Sequence, residues 1–347
     1  MSSLVVEVCQ IDKVEKHPNA DALDVVHVKG WQCVVVKGRH KEGEHIIFVP
    51  PDSILPLELS DKLKCTQYLT HQRVKAARLR GIVSCGLVFP NEGNWSLGTD
   101  VAEIFGITKY DPPEPMTFGG QNIRENPKFH HYTNIDNWNN YPDVIQEGEE
   151  VVITEKIHGT NWRAAIIDGV FYVGSHHNTK KEANESVYWQ AAKRYCIEER
   201  MRTALGDGTT NTFVLFGEVY GRVQDLRYGL PQDIALRLFD LSMNGNYLDW
   251  NLFEGTVNGQ GGFHEGVWPD GGYEHWPLLP TVPVLYKGPF TSDVLKLAEG
   301  EAFAGGHMRE GIVIRSAIER WDKRVGRVIL KKINPEYLVR KGGTEFR

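Results

Sequence analysis

The sequence predicts an α+β protein of two domains, a small β-barrel followed by a larger domain in which strands and helices are interspersed. Three observations carry this. A chain of 347 residues is long enough for two domains rather than one. Its first part holds short runs rich in Val and Ile, with no long helical periodicity between them. Its second part alternates apolar runs of strand length with two stretches of helical spacing.

In order along the chain, LVVEVCQI, DVVHVKG, WQCVVVKG and EHIIFVP read as strands separated by Gly, Pro, Asn or charged turns, and AARLRGIVSCGLVFP continues the pattern. Five or six such strands in about 100 residues suggest a small closed barrel. An OB-type barrel is one common solution, and another small β-barrel is the alternative. The composition then changes. DPPEPMTFGGQNIRENPKFHHYTNIDNWNNYP is dense in Pro, Asn and Gly and reads as a linker or long surface segment. The expected organisation is therefore residues 1–110 as the barrel, 111–142 as the linker and 143–347 as the second domain. There, VVITEKIH, VFYVGSHH, TFVLFGEVYG, IALRLFDLS, GIVIRS and RVILKKIN are expected strands. ESVYWQAAKRYCIEERMRTAL and TSDVLKLAEGEAF have helical spacing. WNLFEGTVNGQGGFHEGVWPDGGYEHWP lacks periodicity and reads as an elaborated loop or a pair of hairpins.

Composition excludes several classes. Hydrophobic residues at 41% and charged residues at 24% give an ordinary globular balance that needs no disulfide or metal staples. The five cysteines lack CxxC spacing and read as free thiols of a reducing cytoplasm. The start, MSSLVVEVCQIDKVEKHP, lacks a basic segment followed by a long apolar run, and no run of 18 apolar residues occurs. No signal peptide, membrane span or membrane partner is expected, and a monomer is. The net charge of −6 argues against a generic nucleic-acid binder. Local clusters argue the other way: Arg73, Lys75, Arg78 and Arg80 crowd one stretch, and Arg320, Lys323, Arg324, Arg327, Lys331 and Lys332 another. The first is the expected nucleic-acid contact.

The chemistry centres on Glu155-Lys156-Ile157-His158-Gly159-Thr160-Asn161, directly after the apolar run VVIT. A lysine at the end of a buried strand is partly desolvated, which frees its amine to attack an α-phosphate. Gly159 would let the turn lie close to a nucleotide. Asn161 offers a donor and an acceptor for a sugar or a metal-bound water. Alone, a KxxG segment more often carries a solvated surface lysine. Further strands strengthen it: Glu218 between two glycines in FGEVYG, Phe239 in LFD, Glu310 ahead of GIVIR, and Lys331-Lys332 after VIL. Each singly reads as surface or core; the order Lys, Glu, Phe, Glu, Lys is harder to dismiss.

These residues resemble the motifs of the covalent nucleotidyltransferases, the ATP-dependent ligases and mRNA capping enzymes. EKIHGTN is similar to the RNA ligase 2-like form of the nucleophile motif. The resemblance implies an ATP-grasp-like ligase domain in which Lys156 becomes adenylated and Glu155 lines the adenine pocket. It also implies that His158 and Asn161 serve the phosphate and sugar, Glu218 the ribose or a metal, and Phe239 the adenine face. Glu310 would be metal-linked, Lys331 would contact the α-phosphate, and Lys332 is a second nucleotide-binding candidate. Two departures stand out. His176 and His177 follow Gly174-Ser175 where the family often has an arginine, and Lys331-Lys332-Ile333 replaces Lys-x-Lys. HPNADALDVVHVKG, VKGRHKEGEHIIFVPPDSILP and VKAARLRGIVSCGL resemble a tRNA-binding OB module. An OB module ahead of such a core resembles the Deinococcus-type RNA ligases, whereas DNA ligases and capping enzymes carry it after the core.

The resemblance implies three transfers: AMP from ATP to Lys156, AMP to a 5′-phosphate end, and attack of a 3′-hydroxyl that releases AMP. The implied partner is RNA or an RNA-containing nicked duplex, in RNA or nick repair. Mg²⁺ or Mn²⁺ is implied because Glu218 and Glu310 would otherwise repel the triphosphate. A neutral Lys156, aided by Lys331 and the metal, is required for attack. A DNA ligase, a capping guanylyltransferase using GTP, and a non-catalytic tRNA- or RNA-binding protein are the alternatives.

Overall fold

The computed structural model describes residues 3–111, 120–205, 212–258, 265–267, 273–275 and 279–344. The chain divides into two units that interleave in sequence. The first is Met1–Pro113, Asn134–Val144 and Leu330–Arg347; the second is Glu114–Thr133 and Ile145–Ile329. This differs from the expected succession of barrel, linker and second domain. The segment read as a linker is shared between the units, because backbone pairing gathers residues far apart in sequence.

The first unit opens with β1 (Glu7–Gln10), β2 (Lys13–Lys16), β3 (Leu23–Val28), β4 (Trp31–Val36) and β5 (His45–Val49). After β6 (Ser53–Ile54) and the short helix α1 (Leu57–Lys62) come β7 (Ala77–Leu79), β8 (Ile82–Ser84), β9 (Leu87–Pro90) and β10 (Thr108–Lys109). The antiparallel orders are β1-β5-β9, β2-β3-β4, β7-β8 and β10-β6. β3 and β5 are buried along most of their length, as their Val- and Ile-rich runs imply, whereas β2 and β7 are largely exposed. Val6, Val8, Ile47, Val49, Leu55, Phe89, Val101 and Ile107 form one apolar core. Short antiparallel strands in small sheets are what the strand-rich sequence predicts. Next in the chain is β11 (Asp136–Asn137).

The second unit contains β12 (Glu150–Lys156), β13 (Thr160–Ile167), β14 (Val170–Ser175), α2 (Val187–Arg194), α3 (Ile197–Leu205), β15 (Thr212–Gly221), β16 (Ile234–Met243) and β17 (Asn246–Tyr247). It continues with α4 (Trp250–Asn258), β18 (Glu265–Val267), β19 (Tyr273–His275), β20 (Val284–Pro289), β21 (Gly311–Ser316), β22 (Trp321–Asp322) and β23 (Gly326–Arg327). An antiparallel sheet runs β14-β13-β15-β16-β17, and β12 pairs with β20 and β21. β13 and β15 are buried almost end to end, as their continuous apolar runs imply. Val187, Ala191, Ile197, Met201, Trp250, Phe253 and Val257 from α2, α3 and α4 share a core with Trp162, Ala164, Leu215 and Leu238.

Helix α4 corrects the loop reading of WNLFEGTVN. Trp250, Phe253 and Val257 lie on the buried face of this helix, and the glycines that obscured the spacing come mostly after it. The hairpin β18–β19 agrees with that reading, and the remainder of the segment lies outside the described residues. The stretch TSDVLKLAEGEAF forms a 3₁₀ helix over Ser292–Ala298 rather than an α-helix. The chain then returns to the first unit at Leu330, within β24 (Ile329–Ile333), which runs parallel to β11 and is followed by α5 (Pro335–Val339).

Candidate active site

Lys156 is the last residue of β12. The antiparallel register with β21 sets Lys156 opposite Gly311, so strand pairing itself delivers Glu310, the residue before β21, to the lysine. The Lys156 Nζ donates to Glu310 Oε1. Glu310 is only 1% exposed, and its Oε2 lies 3.3 Å from His158 Nδ1. The other ring nitrogen of His158, Nε2, lies 2.8 Å from Asp225 Oδ1. Burial alone would raise the Glu310 carboxyl, but Lys156 and His158 outweigh it and hold it at about 2.

Glu218 has the opposite fate. Burial pushes its carboxyl up to about 8, against the pull of Lys156 and with the repulsion of Glu310. Two carboxylates beside one lysine are thus set apart in proton affinity. In register across the sheet, Asn161 faces Glu218 and Glu218 faces Arg237, so the three share one face. Asn161 Oδ1 is buried and has no hydrogen-bond partner among the described residues. A buried acceptor left open in this way suits a ligand.

Phe239 stands at a β-bulge. Phe216 pairs with Asp240 and Gly217 with Leu238, leaving Phe239 as the extra residue. Half-buried, it meets the Tyr132 ring edge-on at 4.8 Å. Asp240 beside it is fully buried and bound by Arg327 at 2.7 Å, Arg315 at 3.3 Å and the Tyr132 hydroxyl at 2.7 Å. Burial would raise the Asp240 carboxyl, but the two arginines hold it below its ordinary value.

The structure brings Lys156, His158, Glu218 and Glu310 together, with Asn161 and Phe239 on the adjoining sheet. Glu155 is buried, and its oxygens accept from the Phe303 N–H at 3.1 and 3.3 Å and from Arg309 Nε at 3.3 Å. Lys331 is buried on β24, within the first unit. Lys332, the next residue of that strand, has its Nζ at Asn139 Oδ1 and 5.3 Å from the Trp138 ring. Strand alternation turns it away from the face that Lys331 occupies. Gly159 has a structural reason of its own. A Cβ there would come within 2.3 Å of the Val219 carbonyl oxygen, so the protein's own β15 demands the glycine.

The basic stretch of the first unit divides in two. Arg73 binds Asp52 and stacks on Tyr110 at 3.6 Å, so its guanidinium is engaged within the protein. Lys75, Arg78 and Arg80 are exposed, with Arg78 paired to Glu336. In the other cluster, Arg320 pairs with Glu149, Arg324 with Asp322, and Arg327 is buried on Asp240 and Glu319. Asp225, Arg309 and Tyr132 escaped the sequence reading. They lie in polar or irregular segments, and only the tertiary fold brings them to the site.

The donor set fits a hard divalent cation. Glu218 and Glu310 offer carboxylates and Asn161 an open amide oxygen. Among the described residues no group of three or more His, Cys, Asp or Glu side chains could hold a metal ion by itself. One or two carboxylates completed by substrate phosphates is the usual arrangement for Mg²⁺.

Residues 149–333, more than half the chain, match the RNA ligase family model. Residues 5–91 match an OB-fold domain. A search of curated proteins gave no match. Among solved structures, a Naegleria gruberi RNA ligase mutant with AMP and Mn is 23% identical with a TM-score of 0.80, over 99% of this chain and 100% of that one. A mutant of that ligase with ATP and Mn is 22% identical with a TM-score of 0.78, over 98% and 100%. The same ligase with PPi is 24% identical with a TM-score of 0.75, over 97% and 98%. At that identity the likeness speaks to fold: an N-terminal OB-fold domain followed by a nucleotidyltransferase domain.

Proposed function

The chain belongs to the RNA ligase family, and from that premise we propose that it is an ATP-dependent RNA ligase of the Deinococcus type, with Lys156 as the residue that takes AMP. The observation that carries the reading is the junction of β12 and β21, where a strand-end lysine meets one buried carboxylate and lies near a second. The order of the two domains supports the Deinococcus type. ATP and a divalent metal enter from the donor set and from the Naegleria ligase structures, which hold ATP, AMP and Mn.

In this reading Lys156 loses a proton and attacks the α-phosphate in line, forming a phosphoramide to AMP and releasing pyrophosphate. The ion pair to Glu310 must first open, because an ammonium has no lone pair. Glu218 and Glu310 would hold Mg²⁺ or Mn²⁺, which would neutralise phosphate charge. Asn161 offers its open oxygen to the sugar or to metal-bound water, and Phe239 offers a ring face to adenine. Glu155, fixed by Phe303 and Arg309, borders the base. The AMP then passes to a 5′-phosphate RNA end, a 3′-hydroxyl displaces it, and the product is a sealed strand or nick.

The test is incubation with labelled ATP or GTP, followed by a denaturing gel. An acid-stable, metal-dependent AMP adduct is expected, absent in Lys156→Ala and in Lys156→Arg, whose guanidinium stays protonated. Labelling that survives in Lys156→Ala, or labelling by GTP and not ATP, sinks the proposal.

A further inference from the structure

The turn after Lys156 is held by one loop that belongs to none of the motif strands. Residues 222–229 follow β15. Gln224 Nε2 donates to the Gly159 carbonyl at 3.0 Å. Asp225 Oδ1 meets His158 Nε2 at 2.8 Å. The Tyr228 hydroxyl oxygen accepts the His158 backbone N–H at 2.8 Å. Three side chains of one loop therefore grip the ring and N–H of one residue and the carbonyl of the next.

The loop is itself braced. The Arg222 N–H donates to Asp233 O at 2.8 Å, and Leu230 N–H to Arg227 O at 2.8 Å. Tyr228 is buried, stacks on Phe303 at 5.1 Å and has a φ of 50°. A bulky residue in the left-handed region is a backbone outlier, of the kind that gathers at functional sites. A Cβ on Gly305 would come within 2.8 Å of the Tyr228 Cα, so a second segment presses on the loop from outside.

We propose that this loop, through Asp225 above all, is a positioning element that fixes the His158 ring against Glu310 and thereby holds the Glu310 carboxylate in place once its ion pair with Lys156 has opened. The proposal rests on the reading of Lys156 as the nucleophile. Asp225 suits the task because its side chain is 57% exposed while the imidazole it holds is 1% exposed. An exposed carboxylate contributes little to folding, so orientation and stability are separable here.

The full-length protein with Asp225→Ala should keep its thermal midpoint. It should form the Lys156–AMP adduct about tenfold more slowly at saturating ATP, the scale of one hydrogen bond to a charged group. Asp225→Asn, which retains an acceptor oxygen, should recover most of the rate. In a His158→Ala background, Asp225→Ala should add nothing, since two residues acting through one contact are not additive. An unchanged rate, or an equal loss with and without the His158 ring, overturns the proposal. Long-range proton–nitrogen NMR of His158 supplies a readout independent of activity. Its Nε2 signal should shift in Asp225→Ala, and an unmoved signal overturns the positioning role. A parent protein that makes no adduct would instead defeat the ligase reading, and the NMR result would still decide whether Asp225 orients the ring.

Discussion

Lys156 stands as half of an ion pair with Glu310, so the residues around it govern the lysine as much as its own strand does. Lys156, Glu218 and Glu310 were legible in the sequence because each sits at or beside a strand run. Their partners were not, since nothing in a polar stretch such as RVQDLRYG marks Asp225 for His158. His176 illustrates a further hidden effect. Burial first, then His177, His131 and Arg163, push its imidazole down to about 3 from 6.5. On acidification the unfolded chain takes up this proton before the folded one does. The contribution of His176 to stability is therefore complete above about pH 6.5 and is lost as the pH falls toward 3. His176→Gln should flatten the dependence of stability on pH between about 6.5 and 4, as read by denaturant melts in a pH series. Phe239 offers a second test at this scale. Phe239→Ala should weaken ATP binding by about 1–2 kcal/mol, the size of an aromatic stacking contact. Phe239→Tyr and Phe239→Trp should retain much of it in a calorimetric titration, and equal thermal destabilisation in all three would mark Phe239 as core.

Elements, unlike single residues, betray themselves by period, and here the reading succeeded where the period was uninterrupted. The strands carrying Lys156, Glu218 and Phe239 have unbroken apolar runs. Helix α4 was missed because glycines follow Trp250, Phe253 and Val257 and hide the spacing. The bulge on β16 was invisible too, because an extra residue in one strand appears only against its partner. That bulge is underpinned by Asp240 with Arg315, Arg327 and Tyr132. Breaking a buried ion pair from one side strands the opposite charge. Asp240→Ala should cost about 3–5 kcal/mol in urea unfolding and weaken ATP binding by displacing Phe239, whereas a full loss of stability with unaltered ATP affinity would detach the network from the site.

At the scale of the whole molecule, a net charge of −6 gave little guidance, and the placement of individual cations gave more. Lys75 and Arg80 are exposed on the first unit, while Arg73 is enclosed by Asp52 and Tyr110. Alanine at Lys75 and Arg80 should weaken RNA binding and lower the slope of log affinity against log salt by about one for each phosphate left without its cation. Alanine at Arg73 should instead lower the thermal midpoint. Fluorescence-anisotropy titrations across a salt series, beside melts, separate the two effects. A uniform response of all three would remove the distinction drawn from the fold.

The first unit is also assembled from segments that lie on either side of the second unit in sequence. Thr344 donates to Asp52, Arg78 reaches Glu336, and β24 lies beside β11. During synthesis, the second unit's residues emerge between the two halves of the first. The first unit is thus closed only after the second unit's residues have been made, and Asp52 waits 292 residues for Thr344.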